Sequence, residues 1–174
     1  KNSNYKNKKS FYMSGIYQYN LSLPLIKEND NYQNIFKPKL SFKAAPNHTK
    51  DERNNVRKID ITNVYSLNRA TDNTSIEGGF STVYGFDYSI LDKSKTKDIF
   101  SLKLANNLRF TENDDLTNAN QIGEKMSNVF SEIIYNPNES FTTKYISSIK
   151  NNLKDNNYEN LTTEFKTNNF VTTF

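Results

Sequence analysis

The sequence lacks residues that several protein classes require. It contains no cysteine and one histidine. Without cysteine, neither a disulfide framework nor a thiolate metal site can form. The histidine, His48, lies in a polar stretch, where we expect a solvated side chain and not a base or zinc ligand. A serine triad would need the same histidine, and no Gly-x-Ser-x-Gly motif surrounds any serine. The sequence therefore predicts no catalytic residues, no metal site, no cofactor and no enzymatic activity.

Long hydrophobic runs are also absent. No apolar run approaches the ~20 residues of a transmembrane helix. Hydrophobic residues make up 34% of the chain and its mean hydropathy is −0.83, which would indicate disorder if no pattern were present. The 11 tyrosines and 12 phenylalanines argue against disorder. Strands of a β-barrel with a wet lumen need only half of their residues apolar, so this composition permits such a barrel.

The formal charge of +4 could point to an anionic partner. However, the lysines are spread along the whole chain, and Lys6, Lys8 and Lys9 come nearest to a cluster. Nucleic-acid binding normally requires a basic stripe on one face. We predict no nucleic-acid partner.

Two segments, 75–91 and 98–111, alternate between apolar and polar residues. Side chains of a strand point to opposite faces in turn, so each segment predicts a strand with one apolar face and one polar face. Val83 is the one apolar residue among the polar positions from Glu77 to Ser89. Aromatic residues lie near both ends of the apolar faces, as in strands of membrane-spanning barrels.

The same alternation predicts further strands at 14–27, 35–45, 125–136, 140–150 and 158–167, with the start of another at 169–174. Pro24 lacks a backbone N–H, so the first of these strands should be bulged or unpaired there. The phase of 125–136 is ambiguous. Helical spacing of Ile61, Val64 and Tyr65 favours one short helix over Asp60–Asn68.

The connections between the predicted strands differ in length in a regular way. The long loops 46–74 and 112–124 alternate with short turns. Antiparallel outer-membrane barrels have short turns at one rim and longer loops at the other. Both chain ends lie within a strand pattern, so we interpret the chain as a partial outer-membrane β-barrel of about seven to eight strands of a larger barrel.

Four segments carry a resemblance to a known family. They are the proline-bearing strand followed by 36–42, the loop end 67–69 with 77–80, the strand segment 83–86, and 124–128 leading to 135–138. With these segments the chain resembles the C-terminal β-barrel of the LPS-assembly protein LptD family, the organic solvent tolerance proteins. The family has a Gly-Asp-Arg segment before the glutamate, and 72–75 departs from it.

The resemblance implies a role in delivering lipopolysaccharide (LPS) to the outer leaflet of the outer membrane of a Gram-negative bacterium. It also implies contact with outer-membrane lipid and a lipoprotein plug similar to LptE as the partner in the lumen. Two alternatives remain open: another outer-membrane barrel, such as a porin, or a soluble, secreted all-β binding module. The soluble module predicts that Lys37, Lys39 and Lys43 are all exposed to solvent.

Five polar residues are candidates for the lumen surface: Glu77, Asp87, Lys103, Arg109 and Lys144. The three cationic residues could contact phosphate groups of the passing lipid or acidic groups of the plug. Alternatively, they only hydrate the lumen and pair with Glu77 and Asp87. Acidic pairs at 51–52 and 114–115 could bind calcium, but loop carboxylates are usually just solvated.

Overall fold

A computed structural model describes residues 13–46, 50–55, 57–69, 75–94, 98–167 and 170–174. They form one antiparallel sheet of nine strands, which confirms the all-β prediction. The strands are β1 (Tyr17–Ser22), β2 (Leu25–Glu28), β3 (Tyr32–Ala45), β4 (Gly79–Asp92), β5 (Asp98–Arg109), β6 (Val129–Asn138), β7 (Phe141–Ile149), β8 (Asn156–Thr167) and β9 (Phe170–Thr173). Within these ranges, no helix is long and apolar enough to cross a membrane.

The strands follow one another across the sheet almost in chain order. The order is β1-β3-β4-β5-β6-β7-β8-β9, and β2 also pairs with β3. Among the described residues, β1 and β9 do not pair with each other, so the sheet is open. The connections β3–β4, β5–β6 and β7–β8 lie at one end of the sheet, because consecutive antiparallel strands turn at alternate ends.

Two prolines explain why the strand predicted over 14–27 is divided into β1 and β2. Ser22 pairs with Lys39 and Leu25 pairs with Phe36, so Leu23 and Pro24 lie opposite Pro38 and Lys37. The carbonyl of Pro38 accepts a hydrogen bond from the Leu23 N–H at 3.2 Å. The ladder is interrupted where both strands carry a proline, since neither proline has an N–H to donate.

Register gives the sheet two different faces. Directly opposed residues of paired strands share a face, and one such row runs through Lys37, Asp87, Lys103 and Glu132. We call this side the charged face. The other side carries Phe42, Phe80, Tyr84 and Phe36 among many other apolar residues, and we call it the aromatic face.

The hydrophobic core lies on the charged face, under the long connections. Ile59, Ile61 and Val64 come from the β3–β4 connection, and Leu116 and Ile122 come from the β5–β6 connection. They pack with three strand residues of the charged face, namely Val83, Ala105 and Phe130. The long connections therefore cover part of the charged face and leave the aromatic face uncovered.

The short helix predicted over Asp60–Asn68 does not form. The segment makes successive turns, with Val64 donating to the Asp60 carbonyl at 2.9 Å and Ser66 donating to the Asn63 carbonyl at 2.8 Å. The Asp60 side chain accepts from both the N–H and the hydroxyl of Thr62. Such side-chain bonds compete with helical backbone bonds, which explains the difference.

A one-residue shift separates the two ends of the β5–β6 pairing. Ala105 is opposite Phe130, but Leu108 is opposite Met126, so β6 carries one extra residue near Asn128. The Asn128 N–H turns away from the ladder and donates to the Asn120 carbonyl at 3.1 Å. This bulge therefore ties the β5–β6 connection to the sheet, and it makes β6 begin at Val129, later than the predicted residue 125.

Candidate functional site

The most buried charged group on the charged face is a cluster around Glu77, which we call the Glu77 cluster. Its carboxylate accepts hydrogen bonds from Arg69 at 2.7 and 3.0 Å and from Arg109 at 2.9 Å. The Lys43 ammonium lies 3.5 Å from the same carboxylate. These cations come from β3, the β3–β4 connection and β5, so one carboxylate joins three separate parts of the chain.

The cations of the Glu77 cluster make further hydrogen bonds that satisfy most of their donors. Arg69 donates to the Val64 carbonyl at 2.9 Å and to the Asn107 side chain at 2.7 Å. Lys43 donates to the carbonyls of Ser66 and Leu67, both at 2.9 Å. These bonds fix the β3–β4 connection against β3, β4 and β5.

Glu77 precedes the first residue of β4 and is only 1% exposed. Burial raises the pKa of its carboxyl, but the charges of Arg69 and Lys43 and the Arg69 hydrogen bonds outweigh burial, so the pKa lies well below its ordinary value. Glu77 is therefore ionised at neutral pH. Arg109 also donates to the carbonyl of Gly78, which brings the backbone before β4 close to β5.

A second charged pair, Lys39 and Asp87, joins β3 to β4. The Lys39 ammonium lies 3.3 Å from the Asp87 carboxylate and 4.4 Å from the centroid of the Tyr65 ring. Burial raises the pKa of the Tyr65 hydroxyl. The backbone carbonyl of Tyr65 accepts from the Gln18 amide at 2.6 Å. Tyr65 therefore places the edge of the β3–β4 connection next to this pair.

A third group is formed by Lys103, Glu132 and Lys144 on three neighbouring strands. The two ammonium groups lie 2.7 and 2.8 Å from opposite oxygens of the Glu132 carboxylate. Glu132 is almost fully buried, whereas the side chains of Lys103 and Lys144 are 37% and 39% exposed. Both lysines therefore keep donors available to solvent while their positions are fixed by one carboxylate.

The structure thus distributes the five predicted site residues over three groups. Glu77 and Arg109 bind each other, Lys103 and Lys144 share Glu132, and Asp87 pairs with Lys39. Arg109 has no exposed side-chain surface and cannot reach a ligand in this conformation. Lys103 lies opposite Asp87 in register, yet its ion pair is with Glu132.

Sequence reasoning missed four residues of these groups. From the sequence, Lys39 and Lys43 are considered only as residues that a soluble module would expose to solvent, but Lys43 is buried. The sequence identifies Arg69 only as the end of a loop, and Glu132 lies in the segment 125–136, where both faces carry apolar residues and the phase is ambiguous. An arginine eight residues before a glutamate, both beside small residues, is too weak a signal to identify a buried pair.

Loop carboxylates do not converge on a common point. Asp51 binds Arg53 at 2.6 Å, and this contact lowers the pKa of the Asp51 carboxyl to about 2. Glu52 accepts from the Asn55 side chain at 2.9 Å. Among the residues that the structure describes, no three acidic or histidine side chains come together as a metal site. His48 and residues 72–74 lie outside the described residues.

Comparison with known proteins gives no assignment for these groups: no protein-family model matches the chain, and no curated protein matches it.

Proposed function

We propose that this chain is part of an outer-membrane β-barrel that takes part in the assembly of LPS in the outer leaflet. One observation carries the membrane part of this proposal: the sheet leaves its apolar face uncovered and packs its charged face. Among the described residues, eight hydrophobic residues are buried and twenty-two large ones are exposed, and thirteen of the exposed ones are strand residues of the aromatic face. In water such a surface would be an aggregation site, but in a bilayer it is the surface that faces lipid.

Strand lengths support the same assignment. β3 and β4 each contain 14 residues and β5 contains 12. Strands of globular proteins usually contain about 5–6 residues, whereas a tilted strand needs ~9–11 residues to cross the hydrocarbon core. The long connections at one end of the sheet and the short turns at the other also fit a barrel in the outer membrane.

The charged face suits the inside of such a barrel. Alternating strands place polar residues toward the lumen, and loops that fold inward can fill part of that space. The Glu77 cluster holds one such connection, and the bulge at Asn128 holds the other. A soluble module with all three lysines of β3 exposed is disfavoured, because Lys43 lies under the β3–β4 connection.

Transport of LPS rests on the resemblance to the LptD family and on the charge of the lumen surface. In this proposal the remaining barrel strands would pair with the edges β1 and β9, since an open edge cannot face lipid. A lipoprotein plug would contact the part of the charged face that the connections leave open. No catalytic role is proposed.

The proposal is tested by expressing the parent gene in its host under a repressible promoter. We expect the protein in the outer-membrane fraction, with a faster gel mobility before heating than after it. We also expect that depletion lowers the amount of LPS at the cell surface. Outer-membrane location with unchanged surface LPS would favour a porin-like barrel, and a soluble protein without heat-modifiable mobility would overturn the membrane assignment.

A further inference from the structure

A row of charged residues crosses the charged face beyond the part that the long connections cover. It contains Lys37, Asp87, Lys103 and Glu132 in direct register, with Lys39 bound to Asp87 and Lys144 bound to Glu132. We call these six residues the lysine belt. It spans five neighbouring strands, β3 to β7.

Positive charge is in excess in the lysine belt. Four lysines face two carboxylates, so the belt carries a net charge of two positive units at neutral pH. Lys37 pairs with no carboxylate among the described residues, although Asp87 is its register partner. If the lysines served only to neutralise the two carboxylates, two lysines would be enough. The surplus of positive charge would attract an anionic ligand.

The lysine belt is open where the Glu77 cluster is closed. Lys103 and Lys144 are more than one-third exposed, and a cavity of about 210 Å³ lies beside Lys37 and Lys39, lined also by Asn20 and Tyr65. The two carboxylates hold three of the four ammonium groups in place. Donors that are fixed before binding lose less freedom when a ligand arrives.

We infer that the lysine belt binds the phosphate groups of an anionic amphiphile that passes along the inside of the barrel. The inference rests on the proposed function for the barrel, its lumen and the passage of a lipid. It excludes Arg109, whose donors are used by Glu77, Gly78 and Thr111. A phosphate group accepts several hydrogen bonds from ammonium groups, and two lysines on one carboxylate present such donors side by side.

The test measures binding by the intact protein in detergent micelles, using calorimetric titration. The probes are phosphatidic acid, diacylglycerol as the lipid without phosphate, and pyrophosphate in free solution. We expect the protein to bind phosphatidic acid but not diacylglycerol, and we expect salt to weaken binding. The double variant Lys103→Gln, Lys144→Gln should bind phosphatidic acid roughly tenfold or more weakly.

Two control variants keep the result specific. Lys166→Gln removes a lysine that is 41% exposed and paired with Glu164, but that lies outside the lysine belt. The affinity of this variant for phosphatidic acid should stay within about twofold of the wild-type affinity. The variant Lys103→Arg, Lys144→Arg keeps the charge and should keep binding. If the double glutamine variant does not fold, each single glutamine variant gives the same comparison.

Several outcomes would overturn the inference. One is that the folded glutamine variants bind phosphatidic acid as tightly as the wild type does. Another is that Lys166→Gln loses as much affinity for phosphatidic acid as the double glutamine variant. A third is that the wild type binds diacylglycerol as tightly as phosphatidic acid. Pyrophosphate that binds as tightly as phosphatidic acid would assign the belt to a soluble anion and not to a lipid. Failure here is separable from failure of the proposed function, since membrane location and surface LPS are measured independently.

Discussion

Arg69 and Glu77 form a two-point ion pair between a loop and the start of β4, with N–O distances of 2.7 and 3.0 Å. Both side chains are essentially inaccessible to solvent. Moving two charges out of water is costly, and the pair is stable only because the remaining donors of Arg69 reach Val64, Ser81 and Asn107. The pair therefore fixes the position of the β3–β4 connection on the sheet.

Substitution Glu77→Gln should release this connection. The amide has nearly the same shape as the carboxylate, but it leaves the three cations of the Glu77 cluster buried without a counter-charge. Breaking a buried pair from one side costs about 3–5 kcal/mol. We expect faster hydrogen exchange of the amides in 57–69 in the protein in micelles, measured by mass spectrometry.

Glu132→Gln is the matched control for that substitution. Glu132 is as buried as Glu77, but its lysines remain partly exposed and can be solvated after the change. Exchange in 57–69 should therefore stay as in the wild type. Equal exchange in Glu77→Gln and wild type would show that apolar packing alone holds the connection.

The Glu77 cluster also predicts a response to acid. The pKa of Glu77 is lower in the folded protein than in the unfolded chain, where it is about 4.3. Its contribution to stability is thus fully present above that ordinary value, and it is lost as the pH falls through the lowered pKa of the folded state. The protection of amides in 57–69, which is their exchange rate relative to that of an unfolded chain at the same pH, should be constant from neutral pH to about pH 4 and fall only in stronger acid. The variant Glu77→Gln should lack this acid-dependent loss of protection, and a wild-type loss already near pH 6 would contradict the assignment.

The strands were predictable because alternation is a local property. Val83 broke the polar pattern of its face, and the structure gives the reason: it packs in the core with Ile59 and Val64. An apolar residue with polar residues on both sides along a strand face was thus the sequence signal that a loop folds over it. Which loop covers it depends on contacts between distant residues, and alternation says nothing about those.

The candidate site was less predictable than the sheet. Glu132 could not be singled out because Phe130 and Ile134, two residues to either side of it, are apolar and lie on the same face, so alternation assigns no polar face to this strand. Arg69 went unnoticed because a loop arginine carries no periodic signal. Lys103 and Lys144 were identified as residues of the polar face, but their common partner could be found only after the register of β5, β6 and β7 was known.

Tyr65→Phe should be neutral or slightly stabilising. The Tyr65 hydroxyl is buried and has no hydrogen-bond partner among the described residues, and such a group costs about 1–3 kcal/mol. Removing the hydroxyl keeps the ring beside the Lys39 ammonium. We expect an unchanged or higher unfolding temperature in detergent, and a clear loss of stability would reveal a water or other partner on the hydroxyl.

Gly85→Ala should destabilise the same region strongly. A Cβ at residue 85 would overlap the Leu104 carbonyl oxygen and lie 2.7 Å from the Tyr65 hydroxyl oxygen. The first contact is with backbone, so β4 and β5 would have to separate locally. We expect a loss of folded, heat-modifiable protein in Gly85→Ala. Tyr65→Phe combined with Gly85→Ala should restore little, because the clash with Leu104 remains.

The orientation of the sheet in the membrane can be tested with two adjacent residues of β5. Leu102 lies on the aromatic face between Tyr88 and Ile133, while Ser101 lies on the charged face between Ser89 and Ile134. If the aromatic face contacts lipid, Leu102→Arg places a charge in hydrocarbon and should cost roughly 2–4 kcal/mol. Ser101→Arg places the same charge in the lumen and should cost much less. Unfolding by denaturant in lipid vesicles measures both variants, and Leu102→Arg with the same stability as Ser101→Arg would show that the aromatic face does not lie in the bilayer.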